Sequence, residues 1–190
     1  MFWLFAWLAF GTASTLGLIC KGTGGVEVTS AAEVNQAAAS AAATPVVMET
    51  SKACNATGMK VTQGETYRIR LVIGEPWKDD KIPTDPNGFG NHRAAWLQLG
   101  GAPYRRLIWS NWFATILRVG GPGLEEHLLQ LEEKEGAWTA TFEPRSSGEV
   151  FLYVNDTVIS LPWIYDFFYR SNNHGTAEVK LEKLEKTSAR

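Results

Sequence analysis

An all-β fold, built as an antiparallel sandwich, is what this sequence predicts, on three observations. Short runs rich in β-branched and aromatic residues recur from about Ser51 onward. They are separated by turn sequences such as Gly120-Gly121-Pro122-Gly123, Glu135-Gly136 and Pro144-Arg145-Ser146-Ser147-Gly148. No long amphipathic helix lies between them, which disfavours a βαβ architecture. The expected strands are, in order, Thr66 to Ile73, Arg106 to Trp109, Phe113 to Val119, His127 to Glu132, Ala137 to Phe142, Glu149 to Val154 and Thr176 to Leu181. The mixed-charge run Lys180 to Lys186 is a strand end or a solvated terminus.

Ahead of this region the chain divides into two stretches. Residues 1–20 form an apolar segment in which Phe2 to Ile19 carries no charge. As a helix it would extend roughly 27 Å, close to the ~30 Å of a bilayer's hydrocarbon layer. It reads as a single transmembrane helix or a secretory signal. The missing Lys or Arg before the apolar run favours the helix. Residues 21–50 are rich in Gly, Ala, Ser and Thr, with the tract Ala37 to Pro45, and read as a linker. Residues 51–190 are then the globular domain. Membrane anchoring, or secretion into a periplasm, is the localisation this organisation implies, with the side of the membrane left open.

Composition narrows the function. The chain has 190 residues, enough for one domain with a sizeable core plus an appendage. Eighteen Lys and Arg against twenty Asp and Glu leave a net charge of -2, so no basic footprint exists for nucleic acid. Eight Trp serve either a β-rich core or a face that stacks on sugar rings. Two cysteines, Cys20 and Cys54, do not make a disulfide framework by count, and the redox compartment stays open.

The informative region is Phe151-Leu152-Tyr153-Val154-Asn155-Asp156, followed after an aromatic loop by Asn172-Asn173-His174-Gly175-Thr176. An apolar strand delivers Asp156 to its end, and Asn172 and Asn173 stand at the entrance of the next. Three side-chain oxygens at one sheet end suit a hard cation, and carboxylate with amide oxygens suits Ca2+ better than Zn2+ or Mg2+. Asn-Asp and Asn-Asn-His-Gly are also ordinary turn sequences.

These motifs resemble the PA-I-type galactophilic lectins of bacteria, in which a Tyr-Asn-Asp strand end and an Asn-Asn-x-Gly strand start hold calcium that receives two hydroxyls of galactose. Ala56-Thr57-Gly58 with Gly64-Glu65-Thr66-Tyr67 resembles that family's N-terminal strands, and Thr115 to Gly120 followed by Gly123 its central strand and turn. The similarity runs in order from about Cys54 to Leu181. It implies a galactose-binding-domain-like, jelly-roll type sandwich. It also implies a calcium site of Asp156, Asn172 and Asn173, with Trp77 in register to offer a backbone carbonyl. For Trp77 the alternative is a buried anchor for the loop Lys78-Asp79-Asp80. Asp79 and Asp80, beside Lys78 and Lys81, are expected in a solvated loop rather than on the metal.

The resemblance breaks where sugar choice is made. The loop Thr157 to Arg170 is longer than the family's calcium loop, and the sugar-contacting His and Gln of the family have no counterpart. Sugar contact is therefore expected through the ion held by Asp156 and Asn172, with Trp163 and Tyr165 as stacking platforms. The loop's alternatives are a cover over the site or an apolar contact to a membrane or another domain. No catalytic pattern is present: His92, His127 and His174 are scattered, and Glu125/Glu126 and Glu132/Glu133 are strand neighbours that point to opposite faces. The expectation is a non-catalytic, calcium-dependent, membrane-tethered module for a galactose-like carbohydrate. Its rival is a lectin-like interaction domain that binds no sugar and docks on a membrane protein or enzyme.

Overall fold

A computed structural model describes residues 20–28, 45–94, 96–120, 125–158 and 165–185. Two five-stranded sheets face one another. The first runs in the order β1 (Val26–Glu27), β3 (Asn55–Val61), β11 (Gly148–Val154), β7 (Thr115–Val119), β8 (Glu125–Leu128). The second runs β2 (Val46–Glu49), β13 (Thr176–Lys183), β4 (Tyr67–Ile73), β10 (Ala137–Phe142), β9 (Glu132–Lys134). Pairing is antiparallel except that β1 lies parallel to β3. At one end sits a small sheet of β12 (Asn173–His174), β5 (Lys78–Asp79) and β6 (Ile82–Pro83). Two one-turn helices, α1 (Trp96–Gly101) and α2 (Phe167–Asn172), border the same end.

The strands form where the side-chain period is two. In β4, Tyr67, Ile69 and Leu71 are buried while Arg68 and Arg70 are exposed, so one face meets the core and the other water. Met48, Ile69, Leu71, Phe142, Ala177 and Val179 from the second sheet pack against Val61, Leu117, Val119, Val150, Leu152 and Val154 from the first. That shared core makes the molecule a sandwich. Strands β7 and β11 are buried on both faces, so neither alternates; β11 reads as an apolar run from Val150 to Val154, and β7 buries Thr115 and Arg118 with its apolar residues.

Two strand expectations change. His127 to Glu132 is not one strand, because β8 belongs to the first sheet and β9 to the second. The chain crosses between the sheets there, sinking Leu129 and Leu131 into the core. Arg106 to Trp109 is a loop. Buried Asn155 holds it by accepting from the Leu107 N–H at 3.0 Å and donating to the Leu107 and Asn111 carbonyls at 2.9 and 2.8 Å.

Parts of the stretch expected as a linker are strand. Val46–Glu49 pairs with β13, and Lys21 to Val28 lies along the outer side of the first sheet. There the buried Glu149 carboxylate accepts from the Thr23 N–H and hydroxyl, both at 2.9 Å, and from the Gly58 N–H at 3.1 Å. A disulfide joins Cys20 to Cys54 with Cα atoms 5.4 Å apart. Such a bond persists in oxidising compartments and points to an extracellular or periplasmic protein. Among the described residues no helix is long and apolar enough to cross a membrane. The apolar segment Phe2 to Ile19, expected to be a transmembrane or signal helix, lies outside the described residues.

Candidate functional site

The site lies at the end of the sandwich where β11 stops. The register of β11 against β7 and β3 carries Asn155 and Asp156 past the last ladder pair, and both side chains are buried. They divide the work. Asn155 staples the 107–111 loop, whereas Asp156 turns inward toward β12.

The small sheet brings the remaining groups. In the β12–β5 ladder Asn173 is paired directly with Asp79, and the Asp80 N–H donates to the Asn172 carbonyl at 2.8 Å. Asn173 Nδ2 donates to Asp156 Oδ2 at 2.9 Å and reaches the Thr50 carbonyl at 3.3 Å. Asn172 Nδ2 donates to Asp79 Oδ1 at 2.6 Å, and the Thr157 N–H to Asp156 Oδ1 at 2.6 Å. Two carboxylates and two carboxamides thus form one contiguous cluster. Asp156, Asn172 and Asn173 lie together, with the asparagines turning their amide nitrogens rather than their amide oxygens toward the carboxylates.

Asp79 is the member that sequence reasoning assigned elsewhere. It is fully buried, not part of a solvated loop. The signal lay in the alternation of Trp77, Lys78, Asp79 and Asp80: if Trp77 anchors the loop inward, a two-residue period also points Asp79 inward and leaves Lys78 and Asp80 outside, as observed.

Trp77 anchors the site through its indole. The ring is buried, meets Phe113 edge-on, and donates its N–H to the Thr176 carbonyl at 3.1 Å. Its backbone carbonyl, the expected metal contact, accepts from the Thr84 N–H at 3.1 Å. Gly175, at φ +127°, packs so closely that an added Cβ would lie 2.8 Å from the Trp77 Cα. Only glycine suits that backbone and that approach.

The electrostatics are those of charges taken out of water. Burial, with the neighbouring Asp156 charge, pushes the Asp79 carboxyl up to about 7 against the Gln98 and Asn172 side-chain donors that pull it down. Burial likewise raises Asp156 to about 6, against the opposing Thr157 N–H, Asn173 amide and nearby Arg105 charge. Two buried atoms of the cluster, Asp79 Oδ2 and Asn173 Oδ1, meet no hydrogen-bond donor. An orphaned carboxylate oxygen and an orphaned amide oxygen in one cluster are what a bound cation satisfies.

Asp156 and Asn172 also border a cavity of about 290 Å³, with Gln98, Trp112, Thr157, Phe167 and Phe168 among its walls. Its aromatic lining comes from Trp112, Phe167 and Phe168. Tyr165, expected as a stacking platform, is half buried against the core and does not line the cavity. Trp163 lies outside the described residues.

Elsewhere, carboxylates have structural partners. Glu125 accepts from the Arg145 N–H at 2.6 Å and the Ser146 hydroxyl at 2.5 Å, with the His127 ring at 2.5 Å. Burial alone would raise it, but these donors hold it below its ordinary value. Glu126 takes the Tyr153 hydroxyl. Among the described residues no group of three or more His, Cys, Asp and Glu is gathered to hold a metal, so the cluster's donors are two carboxylates and two amides. The sequence matches no protein-family model and no curated protein.

Proposed function

We propose that this protein is a non-catalytic, calcium-dependent carbohydrate-binding module. The observation that carries the reading is the buried Asp79–Asp156–Asn172–Asn173 cluster, with donorless oxygens on Asp79 and Asn173 and with Asp156 and Asn172 bordering a ligand-sized cavity. Calcium accepts ~6 to 8 oxygens, so side chains of this number leave positions for ligand hydroxyls or water. Asp156, Asp79, Asn172 and Asn173 would hold the ion. Bound there, it would supply a Lewis-acidic point that takes the vicinal hydroxyls of a sugar. The cavity wall of Trp112, Phe167 and Phe168 offers apolar faces for sugar C–H groups.

Galactose is the first sugar to try, since the motifs around Asp156 and Asn172-Asn173 resemble those of the galactophilic lectins. Two close carboxylates with raised pKa values also suit acid–base chemistry. Asp79 is sealed from solvent, however, and a proton shuttle must reach its substrate, so the cation reading fits the burial better. The test is the melting temperature of the full chain with chelator, with calcium, and with calcium plus galactose. A ligand that binds only the folded state raises stability by mass action. A calcium shift enlarged by sugar supports the module.

A second reading keeps the fold and gives up the sugar: an interaction domain docked on a membrane protein. The exposed aromatic residues around the cavity favour it. Blank sugar binding at saturating calcium, with a specific membrane protein co-purifying, would select it.

A further inference from the structure

We infer that the aromatic rim around the site end of the sandwich seats on the surface of a lipid bilayer. From Ala94 to Trp112 the sequence has two charged residues, Arg105 and Arg106. Both turn into the protein. Arg105 donates to the Ser110 and Ile108 carbonyls at 2.7 and 2.6 Å and lies over the Trp112 ring, and Arg106 donates to the Ala53 carbonyl at 2.7 Å over the Tyr153 ring. The large side chains that the described residues of this segment show to solvent are apolar and aromatic: Trp96 is 81% exposed and Trp109 98%, with Leu99 and Tyr104 about half exposed. Phe167 of α2, also half exposed, continues the rim across the cavity.

These side chains are presented on built supports. The loop carrying Trp109 is fixed from below by Arg105 and by the three hydrogen bonds of buried Asn155. A loop pinned in this way that holds an indole almost wholly in water forgoes the stabilisation of burying it. Several such residues together mark an interaction surface, and Trp and Tyr with a few aliphatics are the residues that settle at the headgroup level of a membrane.

The occupant follows from where the chain leaves the domain. Strand β3 starts at the end where β11 stops, since Asn55 pairs with Leu152, so Cys54 sits at the site end. The disulfide fixes Cys20 there, and the Arg106–Ala53 bond places the rim's base beside it. The uncharged stretch Phe2 to Ile19 ends at Cys20. A segment with the length and polarity of a membrane span therefore meets the domain at the rim, which faces the bilayer it enters. This inference does not rest on the calcium reading, although Phe167 belongs both to the rim and to the cavity wall.

The experiment uses the full chain reconstituted in phosphatidylcholine vesicles containing a diazirine-bearing phosphatidylcholine, with adducts mapped by mass spectrometry after illumination. Adducts are expected in the peptides spanning 96–109 and 165–170 as well as in 1–20. Replacing Trp96→Ser and Trp109→Ser together should cut the rim adducts several-fold while leaving those of the N-terminal segment and the melting temperature unchanged. Adducts confined to 1–20, as a rim covered by a protein or a second copy would give, overturn the proposal.

Discussion

Asn173 gives its side-chain amide to Asp156 at 2.9 Å while its own carbonyl oxygen, buried, accepts nothing. The bond neutralises part of the carboxylate's cost and leaves the amide's other half unsatisfied. Across the same ladder Asp79 has the complementary defect, one oxygen bonded to Asn172 and the other donorless. A cluster that is stable as protein alone would pair these atoms. On the proposed calcium reading, the ion supplies the missing partner.

Removing a charge should therefore separate stability from binding. Asp79→Asn keeps shape and deletes a buried anion, so the ion-free protein at pH 8 should melt higher than wild type. Each ~1 kcal/mol gained corresponds to about 2–4 °C in a chain of this size. The same variant should lose most of its calcium-induced shift. Scanning calorimetry of both proteins with chelator and with calcium reads both effects. A lower ion-free melting temperature together with an intact calcium shift contradicts the assignment.

The pH dependence has a definite sign. The folded state raises Asp79 to about 7 and Asp156 to about 6, from ordinary values near 3.8. A raised carboxyl contributes stability that is full below the unfolded value and lost as pH rises through the folded one. The ion-free protein should thus lose stability from this pair between roughly pH 4 and pH 7. The two titrate as a coupled pair. Calcium needs both deprotonated, so its affinity should rise across the same window. Isothermal titration at pH 5.5 and 7.5 should give at least tenfold tighter binding at the higher pH.

Much of this was legible in the chain, and the illegible parts have physical causes. Strands β4, β10, β11 and β13 announced themselves because alternation or an apolar run bounded by turn residues has few other readings. The sandwich followed from them. Asp156, Asn172 and Asn173 stood out because a strand end and a strand start delivered three oxygens. Asp79 did not, because two aspartates flanked by lysines have a solvated surface's composition, and its burial depends on Trp77 fixing the parity of a two-residue strand. Val46–Glu49 was hidden behind an Ala-rich tract, and the Arg106 to Trp109 loop by a side chain, Asn155, 44 to 48 residues away. Cys20 with Cys54 was a pairing that count alone does not establish.

The disulfide closes a loop with a sequence separation of 34. In the chain-entropy account a loop of that length contributes about 3–4 kcal/mol. Cys54→Ser should lower unfolding stability by about that much in urea titrations. It should also free the 20–28 segment, read as faster hydrogen exchange in β1 while β4 and β13 keep their protection.

Asn155→Ala should cost about 2–4 kcal/mol, because it leaves the Leu107 N–H and the Leu107 and Asn111 carbonyls without their buried partner. Its loop adjoins Asp156, so calcium affinity should fall as well. Asn111→Ala, which loses an exposed side-chain bond to the Asn87 carbonyl, should leave calcium binding intact. Urea unfolding and calcium titration on the two variants distinguish a staple from a ligand.

The measurement that bears most directly on the central claim is calcium titration of the full chain by calorimetry at pH 7.5, with Asp156→Asn beside wild type. One saturable calcium site is expected in wild type and none in Asp156→Asn, with galactose bound only when calcium is present. Calcium binding unchanged by Asp156→Asn, or no calcium binding to wild type at millimolar concentration, would contradict that claim.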